Sequence, residues 1–212
     1  QRLAFLTDIT GAPQVWQVPL TSAPGTILWP EQLTFETDRV MLAQFSPVED
    51  GRLLYTRDTG GNEKQQLFLL SEDGSPDINL TQGFEDVTHS FGAWEKDGSA
   101  LYFSANRRNP ALFDFYRQPL DGEALLVWQN DAPGFLSHVD ISADGQRAIV
   151  VRSSSSFSHT LLEINLADGT ARELLASAEP ARFTAVHYGH DERALYLITD
   201  RDADFLYIAR LN

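Results

Sequence analysis

The sequence of 212 residues contains no cysteine and a single methionine, and its cationic side chains are few. Without cysteine, neither a disulfide framework nor cysteine-based catalysis is available. Sixteen Lys and Arg stand against thirty Asp and Glu, which gives a net charge of −14. Such a surface repels phosphate backbones and anionic lipid headgroups, so the composition disfavours nucleic-acid and membrane partners.

Long apolar runs are also absent, since no stretch approaches the roughly 20 residues that cross a bilayer. The chain opens without the charged, apolar and small-residue regions of a signal peptide. Because many exported proteins also lack cysteine, the composition leaves the compartment undecided, with the cytoplasm slightly favoured. Gly, Pro and Asp interrupt every stretch that could follow a 3.6-residue period, so no helix is expected.

What the sequence does contain is a repeat of 47 residues. Gly51, Gly98 and Gly145 each close a turn before an apolar strand, and 47 residues further on Glu192 occupies a fourth such turn without glycine. Each repeat reads as four strands, which we name A to D, and four short strands every 40 to 50 residues are typical of β-propeller blades. The expected turns between strands C and D carry the hairpin pair Asp-Gly, at Asp73-Gly74, Asp121-Gly122 and Asp168-Gly169.

The predicted fold is therefore all-β: a β-propeller of four-stranded antiparallel blades, here an incomplete section of about five blades, three complete and two partial. A two-sheet sandwich would show cleaner in-out alternation and would not need so regular a spacing. Each end segment supplies three strands, so we expect no regular ring closure and self-association through the exposed end blades. Within a single section over 1–212, the approximate blades are 1–34 (partial), 39–81, 86–130, 135–177 and 182–212 (partial).

The zigzag of a four-stranded blade places the B–C loops on the face opposite the A–B and C–D turns. Any domain joined before the first A strand or after the last D strand lies on the side of the B–C loops. The turns are short and repetitive, but the B–C loops are varied and polar, which is typical of binding surfaces on rigid scaffolds. These loops are expected at 8–13, 58–64, 106–111, 153–159 and 200–204.

The stretch LLYTRDTGGNEKQQLFLLSEDG, with its later NLT, resembles propeller blades of the prolyl oligopeptidase family of serine peptidases, especially the acylaminoacyl-peptidase-like and dipeptidyl-peptidase-like branches. In that family, a propeller caps an α/β-hydrolase domain and restricts entry to short peptides. The resemblance thus implies a hydrolase domain of the same parent chain and a short peptide as partners. It is carried by Asp58, Gly60, Gly61, Glu63, Gln66, Leu67, Phe68, Asp73, Gly74, Leu80 and Thr81.

The resemblance also implies that Glu63 approaches the hydrolase domain or the amino end of the substrate. Two glycines permit positive φ and close backbone approach, and a carboxylate shielded from water can pair with an ammonium group or an arginine. The alternative is that Asp58 and Glu63 only cap a twisted hairpin with solvated carboxylates. The predicted substrate or domain-contact loop comprises Asp58, Gly60, Gly61, Asn62 and Glu63.

Three further side chains are candidate contacts on the B–C face. Arg107 and Arg108 are adjacent cations that could receive a carboxylate from a peptide or a partner, with simple solvation as the alternative. His159 follows a run of serines, but no orienting acid can be assigned to a Ser-His pair, and a flexible polar loop explains it as well.

We predict no catalytic residue, metal site or cofactor within this chain. The nucleophile elbow Gly-x-Ser-x-Gly of the hydrolase fold is absent, so the chain alone should lack peptidase activity. The segment DRDAD at 200–204 imitates a calcium loop, but Phe205 and Leu211 stand where glycine and glutamate are needed. The histidines show no zinc spacing.

Two competing functions remain open. The first is a TolB-like propeller that acts as a protein-binding scaffold with no peptidase attached. The second is a propeller polysaccharide lyase or glycosidase, which needs a metal cluster or a carboxylate pair that the sequence does not offer.

Overall fold

The computed structural model describes residues 2–21, 28–71, 75–176 and 179–212. Within these ranges, eighteen strands form five sheets of three or four strands, and each sheet takes its strands in chain order. This confirms the predicted all-β fold. No helix occurs among the described residues, and none of them forms a segment that could cross a membrane as a helix.

The chain divides into two compact units, Gln1–His89 and Ser90–Asn212. The first unit contains two sheets, whose strands are antiparallel. The first sheet comprises β1 (Arg2–Thr7), β2 (Gln14–Pro19) and β3 (Glu31–Gln32); the second comprises β4 (Val40–Phe45), β5 (Leu53–Arg57), β6 (Gln66–Leu70) and β7 (Ile78–Asn79).

The second unit contains most of the third sheet, whose first strand begins at His89, and all of the fourth and fifth sheets. Its strands are longer, up to ten residues in β9. The third sheet comprises β8 (His89–Trp94), β9 (Ala100–Asn109), β10 (Leu112–Pro119) and β11 (Leu125–Trp128); the fourth comprises β12 (Phe135–Ile141), β13 (Arg147–Ser155), β14 (Ser158–Asn165) and β15 (Ala171–Leu175); the fifth comprises β16 (Phe183–Tyr188), β17 (Leu195–Thr199) and β18 (Tyr207–Leu211).

The B strands of the second, third and fourth sheets are buried on both faces, since residues that follow one another along each strand are buried. Leu53, Leu54 and Tyr55 follow one another along β5 and are fully buried. A strand covered on both faces reads as a continuous apolar run, which explains the missing alternation in the sequence. Within the second unit, one core cluster joins the third and fourth sheets and another joins the fourth and fifth.

The A–B turns are near-copies of one hydrogen-bonding pattern. In each, the aspartate accepts a hydrogen bond from the backbone N–H two residues later. The next residue has positive φ, between 53° and 78°. Aspartate commonly forms this local bond, and glycine commonly supplies the positive φ. The four pairs are Asp50-Gly51, Asp97-Gly98, Asp144-Gly145 and Asp191-Glu192.

Glu192 keeps the left-handed conformation of the glycine slot, with φ +53°. Its carboxylate contacts the preceding blade, where it accepts a hydrogen bond from the Ala143 N–H and pairs with Arg147 at 3.1 Å. The structure therefore includes the fourth turn in the repeat and shows what the glutamate contributes there.

Two expected B–C loops are shorter than predicted because their strands continue into them. Strand β9 runs to Asn109 and holds Arg107 and Arg108, while His159 lies in β14. Of the predicted C–D turns, Gly169 has φ +70° and the Asp168 carboxylate accepts the Thr170 N–H at 2.9 Å. Asp73 and Gly74 lie outside the described residues.

Candidate functional site

The B–C loop of the second sheet connects β5, which ends at Arg57, to β6, which begins at Gln66. Three of its residues have positive φ: Gly60 at +60°, Gly61 at +73° and Glu63 at +60°. No atom lies within 4 Å of where a Cβ would stand on either glycine, so the glycines are needed for their backbone angles.

The buried carboxylate of Asp58 anchors this loop. Its side chain is 2% exposed, and Oδ2 accepts the Glu63 N–H at 3.1 Å. The same oxygen lies 3.5 Å from Nη2 of Arg39, a residue that precedes β4. Oδ1 of Asp58 is buried and finds no hydrogen-bond donor among the described residues. The anchoring carboxylate is thus buried, unlike the solvated carboxylate of the alternative interpretation.

Further hydrogen bonds fix the rest of the loop. Asp38 accepts the Gly60 N–H at 3.0 Å. The side-chain oxygen of Asn62 accepts the Lys64 N–H at 2.9 Å and the Thr59 N–H at 3.4 Å. Asn62 is therefore a local brace that shapes the loop through its own backbone.

Glu63 is the residue that the loop presents. It is exposed, and no hydrogen bond or ion pair within the described residues involves its carboxylate. Its backbone is held on both sides, because the N–H bonds to Asp58 and the C=O accepts the Thr88 hydroxyl at 3.4 Å. A left-handed glutamate costs about 1 kcal/mol or more. An unpaired acid on a constrained backbone is an arrangement that can receive a cationic group.

Arg107 and Arg108 are engaged within their own sheet. The Arg107 guanidinium lies over the rings of Phe103 and Tyr116, at 5.0 and 5.1 Å from their centroids, and this burial lowers its pKa. Arg108 donates two hydrogen bonds to the fully buried Asp114, at 2.9 and 3.1 Å, which raises the pKa of the guanidinium.

Both arginines are therefore held by side chains of the third sheet, and simple solvation describes neither one. Arg108 also donates to the Asn130 carbonyl at 2.7 Å, so it links the middle of the third sheet to the segment after β11. The proposed carboxylate-receiving role of both arginines stays a prediction.

His159 sits at the junction of the fourth and fifth sheets. Its Nδ1 accepts the Phe183 N–H at 3.0 Å, and the backbone N–H of His159 donates to the Ala181 carbonyl at 2.9 Å. The imidazole thus joins two blades, and the predicted external contact through His159 remains a prediction. Within the part of the chain that the structure describes, no three His, Asp or Glu side chains are grouped as metal ligands would be.

Sequence reasoning missed Arg39 and Asp38, although a signal was present. The fifth sheet repeats the pairing of an arginine just before strand A with an aspartate just after strand B, as Arg182 and Asp200, with Nε and Oδ2 2.7 Å apart. The backbone N–H and the guanidinium of Arg182 both donate hydrogen bonds to the Asp200 carboxylate, and these bonds lower the pKa of Asp200. The recurrence of Arg and Asp 18 or 19 residues apart was visible in the sequence.

The motif residues Gln66 and Thr81 hydrogen-bond to each other inside the second sheet. The Thr81 hydroxyl donates to the Gln66 side chain at 2.8 Å and accepts the Leu67 N–H at 3.2 Å. In the first sheet Gln14 and Thr34 form the same pair at 2.9 Å. In these two sheets the threonine of the closing Leu-Thr pair is thus buried and accepts a hydrogen bond from the backbone of strand C.

Comparisons with known proteins agree with this architecture. Residues 12–212 match the family model of the prolyl oligopeptidase N-terminal beta-propeller domain. No curated protein gave a significant sequence match.

Among solved structures, a prolyl endopeptidase superposes on all of this chain with a TM-score of 0.74 at 14% identity, and a puromycin hydrolase does so with 0.73 at 14%. TolB from Acinetobacter baumannii superposes on 99% of it with 0.61 at 18% identity, and 51% of TolB is covered. The chain spans only 33% of the prolyl endopeptidase and 36% of the puromycin hydrolase.

At these identities the solved structures support the fold alone, whereas the family model extends over almost the whole sequence. The chain therefore belongs to the prolyl oligopeptidase family, as its N-terminal β-propeller domain.

Proposed function

We propose that this propeller is the non-catalytic part of a serine peptidase, which gates and orients short peptide substrates for an α/β-hydrolase domain outside this sequence. Glu63 receives the ammonium group at the amino end of the peptide, or a cationic side chain of the hydrolase domain. The observation that carries the proposal is the Asp58–Lys64 loop, which buries one carboxylate as an anchor and leaves the next one exposed and unpaired.

The ligand class follows from the charge and from the constraint. A hydrogen bond between ionised partners contributes about 1.5–3 kcal/mol, more than a neutral one. Because the Glu63 backbone is already fixed at both its N–H and its C=O, little further ordering is needed when a cation binds.

The test uses the parent protein and short peptide nitroanilides, with free or acetylated amino ends. If Glu63 binds the ammonium group, Glu63→Gln lowers kcat/KM about tenfold or more for the free peptides and leaves the acetylated ones unchanged. Glu123→Gln, at an exposed glutamate beside a C–D turn, is the matched control. Equal kinetics of wild type and Glu63→Gln on both substrate sets would refute the ammonium role.

A gating propeller further predicts that folded proteins are not cleaved.

A TolB-like binding scaffold is the second candidate, favoured by the TolB superposition over 99% of this chain. A parent reading frame with further blades and no Gly-x-Ser-x-Gly would support it.

We also propose that the 212-residue chain, when isolated, self-associates through its end sheets. The first sheet exposes half of Leu3, and the fifth exposes Tyr196 and Ile208. Light scattering that shows a strictly monomeric chain would contradict this.

A further inference from the structure

We propose that Arg39 and Asp58 are positioning residues for Glu63: they hold the loop in the backbone arrangement that keeps the Glu63 carboxylate free. This inference rests on the proposed function of Glu63. Neither residue needs to touch the substrate, since both act through the Glu63 backbone.

The contacts of Asp58 are directed at the loop. The residue is almost fully buried, yet only Oδ2 has partners, namely the Glu63 N–H as a hydrogen-bond donor and the Arg39 guanidinium as an ion pair at 3.5 Å. Oδ1 is buried without a donor among the described residues. Burial of a carboxylate is unfavourable unless it is compensated. Its hydrogen bond to the Glu63 N–H fixes the orientation of the peptide group between Asn62 and Glu63.

Arg39 supplies the compensating charge. Its side chain is 49% exposed. Its removal takes away the ion-pair partner that the structure gives the Asp58 carboxylate. The strained left-handed conformation of Glu63 persists only while its surroundings determine it. Loss of Arg39 should therefore loosen the loop and leave the strands in place.

The fifth sheet provides a natural comparison. Its Asp200 accepts hydrogen bonds from both the N–H and the guanidinium of Arg182, each at 2.7 Å. The left-handed acid of that loop, Asp202 at φ +58°, lies 3.6 Å from the guanidinium of its neighbour Arg201. The same Arg–Asp pairing thus anchors both loops, but the left-handed acid of the fifth-sheet loop has an arginine partner, whereas the carboxylate of Glu63 has none among the described residues.

The experiment measures kcat and KM of the parent protein on a free-amino peptide for Arg39→Gln, Asp58→Asn, Glu63→Gln and the double variant Arg39→Gln/Glu63→Gln. We expect Arg39→Gln to raise KM about threefold or more with kcat nearly unchanged, and Arg39→Lys to restore part of the loss. The double variant should match Glu63→Gln alone, because residues that act through one group are not additive.

Arg182→Gln is the control, since it removes the equivalent pair from the loop whose left-handed acid, Asp202, already has an arginine partner. Hydrogen exchange at the Glu63 amide reports the loop directly and should become faster in Arg39→Gln. If Asp58→Asn does not fold, the half-exposed Arg39 still gives the answer.

Three results would overturn the inference: additive losses in the double variant, an equal rise in KM from Arg182→Gln, or unchanged amide exchange in Arg39→Gln. A failure of the proposed function looks different. In that case Glu63→Gln leaves the kinetics intact while Arg39→Gln still accelerates exchange at Glu63, which supports the positioning role alone.

Discussion

At the A–B end of its sheets the chain repeats one turn four times, whereas at the B–C end the loops differ in length, anchor and exposed residue. Each A–B turn uses an aspartate and a left-handed residue. The B–C loops are held instead by Asp58 in the second sheet, Asp114 in the third and His159 in the fourth. The backbone of each A–B turn is thus specified locally, whereas these B–C anchors also have partners 16 to 24 residues away in the sequence.

The difference shows where variation is tolerated. A local turn carries its own hydrogen bonds, so it can be copied into every blade. A loop that is anchored through a buried side chain can change its exposed residues without changing its anchor. If this is right, buried anchors at the B–C end should matter more for stability than exposed aspartates at the A–B end.

The largest effect is expected for Asp114→Ala. Asp114 is fully buried and accepts hydrogen bonds from Arg108 and from the Asn130 N–H. Its removal leaves a buried N–H and a cation without their partner, which should lower the free energy of unfolding by about 3 kcal/mol. Urea unfolding measures this loss. Asp97→Ala, in the exposed A–B turn of the same sheet, is the control and should cost clearly less. Equal losses would break the comparison.

The same contrast explains what the sequence could predict. The Asp-Gly turns and unbroken apolar runs such as 148–151 carry their structure locally, so their spacing predicted the sheets. Solvation was an open interpretation for Arg108, because the sequence does not show that Asp114, six residues later, is buried and accepts its hydrogen bonds. His159 looked like a flexible loop residue because its acceptor role appears only where Phe183 packs against it.

The candidate site was predictable in part for the same reason. The glycines and Glu63 belong to one loop, and their sequence pattern indicated positive φ near them. The separate tasks of Asp58 and Glu63 were not visible, because burial distinguishes the two carboxylates and burial depends on the surrounding sheet.

Glu192 extends the comparison, because among the four described A–B turns it is the residue in the glycine slot whose side chain bonds to another blade. Glu192→Ala and Glu192→Gly both lose its carboxylate, but only alanine keeps the left-handed strain. Glu192→Ala should therefore be less stable than Glu192→Gly by about 1 kcal/mol. Urea midpoints of the two variants give the difference.

Gly145→Ala is the matched control for that strain. Gly145 has φ +69°, and no atom lies within 4 Å of a Cβ built there, so its cost of about 1 kcal/mol should come from the backbone alone. If Glu192→Ala and Glu192→Gly were equally stable while Gly145→Ala lost stability, the two slots would not share one conformational rule.

The smallest effect concerns pH at the A–B end of the third sheet. Arg117 donates hydrogen bonds at 2.6 and 2.8 Å to Glu95, and Tyr102 donates at 2.8 Å. The Arg117 hydrogen bonds hold the pKa of Glu95 below its ordinary value of 4.5. A carboxyl whose pKa is lowered by folding stabilises the protein above its unfolded pKa, and this stability disappears as the pH falls through the folded pKa.

Arg117→Gln should therefore lower stability near neutral pH and flatten the further loss on acidification below 4.5. Urea unfolding at a series of values between about pH 6 and pH 3 tests the slope. Arg193→Gln is the control, because its exposed guanidinium makes no ion pair or hydrogen bond among the described residues. Because Glu95 is partly exposed, solvent screens the pair and the change in slope should be modest. Parallel curves for wild type and Arg117→Gln would mean that this network at the A–B end shapes the turn without storing pH-dependent stability.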